Sequence, residues 1–266
     1  MERREFVASS ALASVGLFGA GLLTLPKPER EAPPRAGPRK ILIAGGGFGT
    51  GFIRYMAKLT GKAKPRLCYL PTASADRPSG TATWYQSCAT LNVEAFEQDM
   101  FISSYRQDKS WEEVLLSMDG IVASGGNTLN QQAIWKAQGI DEVLRKAWDA
   151  GIVLGGASAG SLCWFEEGTS DSRPKELSTV KCLGFLKGSH SPHYDREAPR
   201  RPLYLKLIGS GAMKPGYACY NDAGIYFEDN VVKKVVATRA DAKVFYVSRE
   251  GDKAVEKPLD VELIEP

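Results

Sequence analysis

Gly156-Ala157-Ser158-Ala159-Gly160 reads G-x-S-x-G, a serine held between small residues. The apolar run Ile152-Val153-Leu154 before it fits a short buried strand. Ser161-Leu162-Cys163-Trp164-Phe165 after it fits the opening of a helix, with Cys163 in the core. A sharp strand-to-helix turn tolerates only small residues at the glycine positions and lifts the intervening hydroxyl beside backbone N–H groups. A hydroxyl so placed becomes a covalent nucleophile when a base lies within reach. A glycine-rich turn without chemistry would give the same five letters, so the rest of the chain must supply the base.

The sequence holds two histidines, His190 and His193, within Gly188-Ser189-His190-Ser191-Pro192-His193-Tyr194-Asp195. Histidine is the usual base for a serine because it titrates near working pH, so one of these two is expected to serve Ser158. Pro192 stiffens the backbone just before His193. Upstream, Ile121-Val122-Ala123-Ser124 reads as a strand end, and Gly125-Gly126-Asn127-Thr128 turns into a helix that runs from Leu129 to Lys136. Such a turn aims N–H groups at a developing negative charge. Asn127 or Thr128 can also cap the helix, and the two uses are compatible.

These loops need a rigid frame, and the surrounding pattern provides one. Strands are expected over Lys40 to Ala44, Arg66 to Leu70 and Val93 to Phe96, and helices over Thr83 to Leu91 and Ile140 to Ala150. That alternation predicts an α/β fold, a mostly parallel sheet with helices on both faces. Ligand chemistry then gathers at the carboxyl ends of the strands, where Gly126 and Ser158 both fall. After Gly216 the pattern shifts to short strands, Val231 to Thr238 and Lys243 to Ser248, which read as antiparallel hairpins extending the sheet. Gly45-Gly46-Gly47 matches neither nucleotide-loop pattern and reads as a structural turn from strand to helix.

Bulk composition is that of a globular enzyme: 266 residues, 43% hydrophobic and 24% charged. A net charge of +3 with scattered Lys and Arg gives no reason to expect a nucleic-acid partner. Five cysteines without C-x-x-C spacing argue against a zinc site. No metal or organic cofactor is needed for the chemistry above. The partner expected is a small peptide substrate, and the chain can be monomer or homodimer. Arg3-Arg4 precedes an uncharged, Ala/Gly/Ser-rich stretch from Phe6 to Leu25. This resembles a twin-arginine export signal, with a plain membrane anchor as the alternative. Pro26 to Pro38 reads as a linker, so residues 1–38 fall outside a catalytic domain of residues 39–266 that is periplasmic or faces the periplasm.

Taken together, Gly125-Gly126-Asn127-Thr128, Gly156-Ala157-Ser158-Ala159-Gly160, Pro192-His193-Tyr194 and Asn221-Asp222-Ala223-Gly224 before Ile225-Tyr226-Phe227 resemble peptidase E, the aspartyl dipeptidase family. Their order and spacing fit across residues 39 to 250. The resemblance implies a class I glutamine amidotransferase-like fold and a serine hydrolase with Ser158 as nucleophile and His193 as base. It implies oxyanion donors at Gly126 and Ala159, and substrate contacts at Asn127 and Thr128. For the acid it offers Asp222, favoured here as the residue orienting His193, although Ala223 intervenes before the glycine. Asp171 is the second candidate and would otherwise serve the substrate or its loop. Glu166 and Glu167 read as a solvated face, with Glu167 able to cap or line the cleft. An aspartyl preference would need a cation in the pocket, and Arg173, Lys175 and Arg196 are the nearest in sequence. A cyanophycinase-like enzyme acting on β-aspartyl–arginine links, or a non-catalytic exported binding module, would share the fold. Serine at the elbow argues against an amidotransferase.

Overall fold

The computed structural model describes residues 37–102 and 107–266. The export-signal expectation and most of the linker lie outside the described residues. Among those described, no helix is long and apolar enough to cross a membrane. The first half of the chain alternates as expected: β1 (Lys40–Ala44), α1 (Thr50–Thr60), β2 (Arg66–Leu70), a 3₁₀ turn (Pro71–Ser74), α2 (Pro78–Cys88), β3 (Glu94–Glu97), α3 (Trp111–Leu115), β4 (Gly120–Ala123), α4 (Thr128–Ala137), α5 (Ile140–Asp149) and β5 (Val153–Ala157). The remainder is α6 (Ala159–Leu162), β6 (Glu167–Ser170), β7 (Ser178–Lys181), β8 (Ser189–Ser191), α7 (Arg200–Gly209), β9 (Gly216–Cys219), β10 (Ala223–Glu228), β11 (Val231–Ala237), β12 (Val244–Glu250), β13 (Lys253–Leu259) and β14 (Glu262–Leu263).

The larger sheet runs β14-β11-β10-β1-β5-β4-β2-β3. Its strands from β1 to β3 are parallel, and β10 closes antiparallel on β1. Side chains alternate faces along a strand, so β1 sends Ile41 and Ile43 into one core and Leu42 and Ala44 into the other. On the first face α5 buries Ile140, Val143, Leu144, Ala147 and Trp148, a stripe at helical spacing. On the second face α1 contributes Phe52, Ile53 and Met56. Both faces are therefore covered, as a parallel sheet requires.

The C-terminal strands divide differently from the expectation. β11 extends the larger sheet through β10, but β12 joins a second sheet of order β13-β12-β9-β8-β6-β7. The second sheet is built on short strands that approach very closely. A Cβ on Gly168 would lie 2.0 Å from the His190 carbonyl oxygen, and one on Gly216 would lie 1.9 Å from that of Ser189. Only glycine lets β6 and β9 flank β8 at that distance. The consequence for function is positional. Ser158 follows the carboxyl end of β5 and Gly125 that of β4, while His193 lies two residues past β8 and Asn221 two past β9. The two sheets deliver their strand ends to one place.

Candidate active site

Ser158 occupies the turn between β5 and α6 with φ 59° and ψ −121°. A non-glycine residue in such a conformation costs about 1–3 kcal/mol and persists only where its surroundings hold it. Ser158 N–H donates to Ala44 O at 3.3 Å, and its carbonyl accepts from Leu162 N–H at 2.9 Å. The glycines on either side are required by contact. A Cβ on Gly156 would lie 2.4 Å from Ala123 O, and one on Gly160 2.0 Å from the same atom. Behind the turn, Trp164 packs between Trp135 and Phe185 with ring centroids 6.0 and 5.5 Å away, a rigid aromatic support.

His193 Nε2 lies 2.8 Å from Ser158 Oγ. Its Nδ1 lies 2.8 Å from Asn221 Oδ1. An amide oxygen only accepts, so Nδ1 carries the ring proton and Nε2 is left bare toward the serine hydroxyl. That tautomer is the one a general base needs. His193 itself has φ 53°, and its N–H donates to Gly45 O at 3.2 Å. The three-glycine turn expected to be structural is thus the seat of the pair. A Cβ on Gly46 would meet Asn221 Oδ1 at 2.4 Å and His193 Cε1 at 2.7 Å.

Asn221, not Asp222, therefore holds the histidine. Asp222 has φ 64°, a left-handed backbone that turns its carboxylate to Arg239 Nε at 3.2 Å, while its N–H donates to Gly46 O at 2.8 Å. Arg239 also donates through Nη2 to Asn221 O at 3.1 Å and to Asp195 Oδ2 at 2.9 Å. Asp195 Oδ1 accepts from Asn221 N–H at 2.8 Å, so the asparagine is fixed from both sides of its backbone. Asp171 does not reach His193 either. It is largely exposed, with its nearest charged partner, Arg200 Nη2, 3.6 Å away. Sequence reasoning missed Asn221 although it adjoins the expected acid.

The remaining expected residues are placed as follows. Ala159 is the first residue of α6, so its N–H has no intrahelical acceptor and stands beside Ser158. The Gly125–Gly126 turn runs against the serine, and a Cβ on Gly125 would lie 3.3 Å from that of Ser158. Gly126 has φ 134°, a conformation that favours glycine. Asn127 and Thr128, expected to touch substrate, also form bonds within the protein. Asn127 Oδ1 caps α4 by accepting from Asn130 N–H at 3.0 Å, and its Nδ2 donates to Ser172 O at 3.1 Å. Thr128 is buried, and its N–H donates to Ser172 Oγ at 2.9 Å. Glu167 is buried rather than solvated, because Lys181 Nζ and the Lys214 N–H both approach its carboxylate. Glu166 accepts from Gly188 N–H at 2.8 Å, which together with Lys214 holds its carboxyl below the usual range.

His190 is fully buried and does not touch the Ser158–His193 pair; it meets the elbow only through Ser161, whose Oγ also lies 2.8 Å from Ser158 O. Its Nδ1–H donates to Tyr217 O at 3.0 Å, and Nε2 accepts from the Ser161 hydroxyl at 3.0 Å. Burial pushes its pKa down to about 3.

A cavity of about 430 Å³ opens beside Ser158, lined by the turn that precedes α1 and by α2. Phe48, Tyr69 and Trp84 wall it, and Gly125, Ala157 and Ser158 line its inner end. None of the three cations suggested by sequence lines it. Arg173 donates to Ser178 Oγ and Thr179 O at 3.1 and 2.9 Å, and Arg196 Nε lies 3.5 Å from Asp195.

Comparison with known proteins finds relatives along most of the chain. The model of peptidase family S51 matches residues 41–235. The uncharacterized peptidase YgaJ of Bacillus subtilis (strain 168) is 36% identical over 229 residues, covering 84% of this chain and 98% of that protein. Among solved structures, a peptidase from an acI-B1 Actinobacterium superposes with a TM-score of 0.65 at 15% identity, covering 85% of this chain and 95% of that one. A Listeria monocytogenes EGD-e protein assigned as a peptidase E superposes with a TM-score of 0.54 at 15% identity, covering 84% and 100%. At that identity the structures speak for the α/β fold alone, whereas the family model and the YgaJ match each span most of the chain. The chain belongs to peptidase family S51 and is a serine-type peptidase.

Proposed function

We propose that the protein hydrolyses short peptides through an acyl-enzyme, with Ser158 as nucleophile, His193 as general base and acid, and Asn221 as the residue that orients the imidazole. The observation that carries this reading is the 2.8 Å separation of Ser158 Oγ and His193 Nε2, with the tautomer set from the far side by Asn221.

The steps follow from those positions. His193 Nε2 takes the Ser158 proton as Oγ forms a bond to the substrate carbonyl carbon. The oxygen of that carbonyl becomes an oxyanion, which the N–H groups of Ala159 and Gly126 receive. His193 then gives its proton to the leaving amine as the C–N bond breaks, and Ser158 is left as an ester. Water loses a proton to His193 and adds to the ester carbon. The C–O bond to Ser158 breaks, and Oγ recovers the proton. Asn221 is neutral, so it orients the ring without adding a charge beside the imidazolium. An asparagine in that position supports catalysis in Cys-His-Asn proteases, so the arrangement is chemically competent.

The test is Ser158→Ala. Removing a nucleophile from such a unit lowers turnover on the order of 10⁶-fold. Peptide hydrolysis and labelling by a fluorophosphonate probe should both be lost, with the thermal unfolding profile unchanged. Labelling that survives in the variant would overturn the assignment. The cyanophycinase-like alternative uses the same machinery and is separated by comparing β-aspartyl–arginine substrates with ordinary dipeptides. A non-catalytic module would show neither labelling nor hydrolysis in the unaltered protein.

A further inference from the structure

The cavity beside the nucleophile has a chemistry of its own. The cavity at Ser158 begins at the nucleophile and ends against three aromatic rings. Trp84 and Tyr69 stack with centroids 5.5 Å apart at 13° and form one flat wall. The Trp84 indole N–H already donates to Phe96 O at 3.0 Å, so it is not free to bind a substrate anion. Phe48 faces them, held by Phe52 at 5.5 Å between ring centroids. Thr83, Ser87 and Ser124 add hydroxyls, and every described residue lining the cavity is uncharged. No described cation lines the cavity, and the buried Arg200 donates to Glu197 at 2.7 Å and to Thr169 O at 2.7 Å.

We infer that this cavity takes an apolar or aromatic side chain from the residue whose carbonyl Ser158 attacks, and that the enzyme disfavours an aspartyl residue there. The inference rests on the proposed role of Ser158. A carboxylate moved from water into an aromatic-walled cavity without a cation loses hydration that nothing replaces. An isobutyl or benzyl group gains by leaving water and meets flat rings. A volume of about 430 Å³ falls within the range of pockets that enclose small ligands. One feature of the wall opposes this preference. α1 and α2 both start without a side-chain cap, and Gly47, Gly49 and Gly80 line the cavity, so the N–H groups of the two helix starts are the local source of positive potential. An uncapped helix start contributes a partial charge only, which the apolar wall outweighs for a side chain filling the cavity.

The experiment compares Leu-, Phe- and Asp-p-nitroanilide with the full chain. The expected result is a kcat/KM for the Leu and Phe compounds at least tenfold above that for Asp, roughly the discrimination a shaped apolar pocket gives. Ser87→Arg places a guanidinium on the wall and should reverse the order toward Asp. Thr83→Arg, at a more exposed position on the same helix, is a second variant should the first fail to fold. Fluorophosphonate labelling reports the nucleophile independently of the side chain. Labelling with a preference for Asp in the unaltered protein would overturn the inference and leave the nucleophile assignment standing. So would labelling without hydrolysis of any of the three. Loss of both labelling and hydrolysis would sink the two together.

Discussion

His190 and His193 are separated by only Ser191 and Pro192, and they inhabit opposite environments. His190 lies inside β8, fully buried, stacked on Phe165 at 5.0 Å between ring centroids, with both nitrogens satisfied by Tyr217 and Ser161. His193 lies beyond the strand in a left-handed backbone conformation, half-buried, with Ser158 and Asn221 on its two nitrogens. A buried histidine that cannot charge is a packing element and a hydrogen-bonding post. Half-exposed, with its proton fixed on the far nitrogen, the same residue becomes a base. The difference arises from one residue of strand, Ser191, and Pro192, not from the imidazole.

The sharpest way to break this comparison is to remove each ring in turn. His193→Ala should lower kcat on the order of 10⁶-fold, as loss of the base does in a serine–histidine unit. His190→Gln, assayed well below its unfolding temperature, should keep activity within about tenfold, because Ser161 is three residues past the nucleophile and the elbow is held by other bonds. Steady-state hydrolysis with circular dichroism on both variants decides it. A His190 variant that folds normally yet is as inactive as the His193 variant would show that the assignment is reversed.

The next largest effect separates the neighbours Asn221 and Asp222. Asn221→Ala should cost on the order of 10²–10⁴ in kcat, the range expected when the imidazole loses its orienting partner. Asn221→Asp should restore most of that loss. A carboxylate on Nδ1 favours the imidazolium, so the acid limb of the pH–rate profile should move to higher pH in that variant. Asp222→Asn breaks a contact with Arg239 on a partly exposed side chain, and such pairs contribute about 0–1 kcal/mol. It should change kcat by less than about tenfold. A larger loss in Asp222→Asn than in Asn221→Ala would return the orienting role to the acid.

Why the sequence misled at this point is instructive. The elbow was readable because glycine, serine and glycine at fixed spacing follow a buried strand and a histidine elsewhere in the chain can serve as base, and Gly156 and Gly160 both prove to be crowded by Ala123 O. The α5 stripe was readable because Ile140, Val143, Leu144, Ala147 and Trp148 repeat at the helical period. The choice between Asn221 and Asp222 depends instead on one residue's φ, 64° at Asp222, set by a bond to Gly46 in the turn after β1, a long-range contact without local signature. The role of Gly46 was hidden for the same reason. The second sheet was missed because β6 and β8 are only four and three residues long and pair through glycines, which no alternation announces.

The smallest effect concerns stability and sharpens the contrast between the histidines further. Burial lowers the His190 pKa to about 3, with Arg200 and His193 adding to the penalty on a charged ring. In the unfolded chain it titrates near about 6.5. Between those values the unfolded state binds a proton that the folded state refuses, so stability is full above the upper value and declines as pH falls toward the lower one. The slope approaches about 1.4 kcal/mol per pH unit well below the upper value. His190→Gln removes the titration but leaves Ser161 and Tyr217 with poorer partners, costing about 1–3 kcal/mol at neutral pH. Carboxylates elsewhere titrate alike in both proteins and cancel in the difference. Urea denaturation at pH 7, 6, 5 and 4 should therefore show the variant's deficit shrinking as the pH falls. A deficit that stays constant across that range would mean that His190 is not held neutral by the fold, and the contrast with His193 would rest on geometry alone.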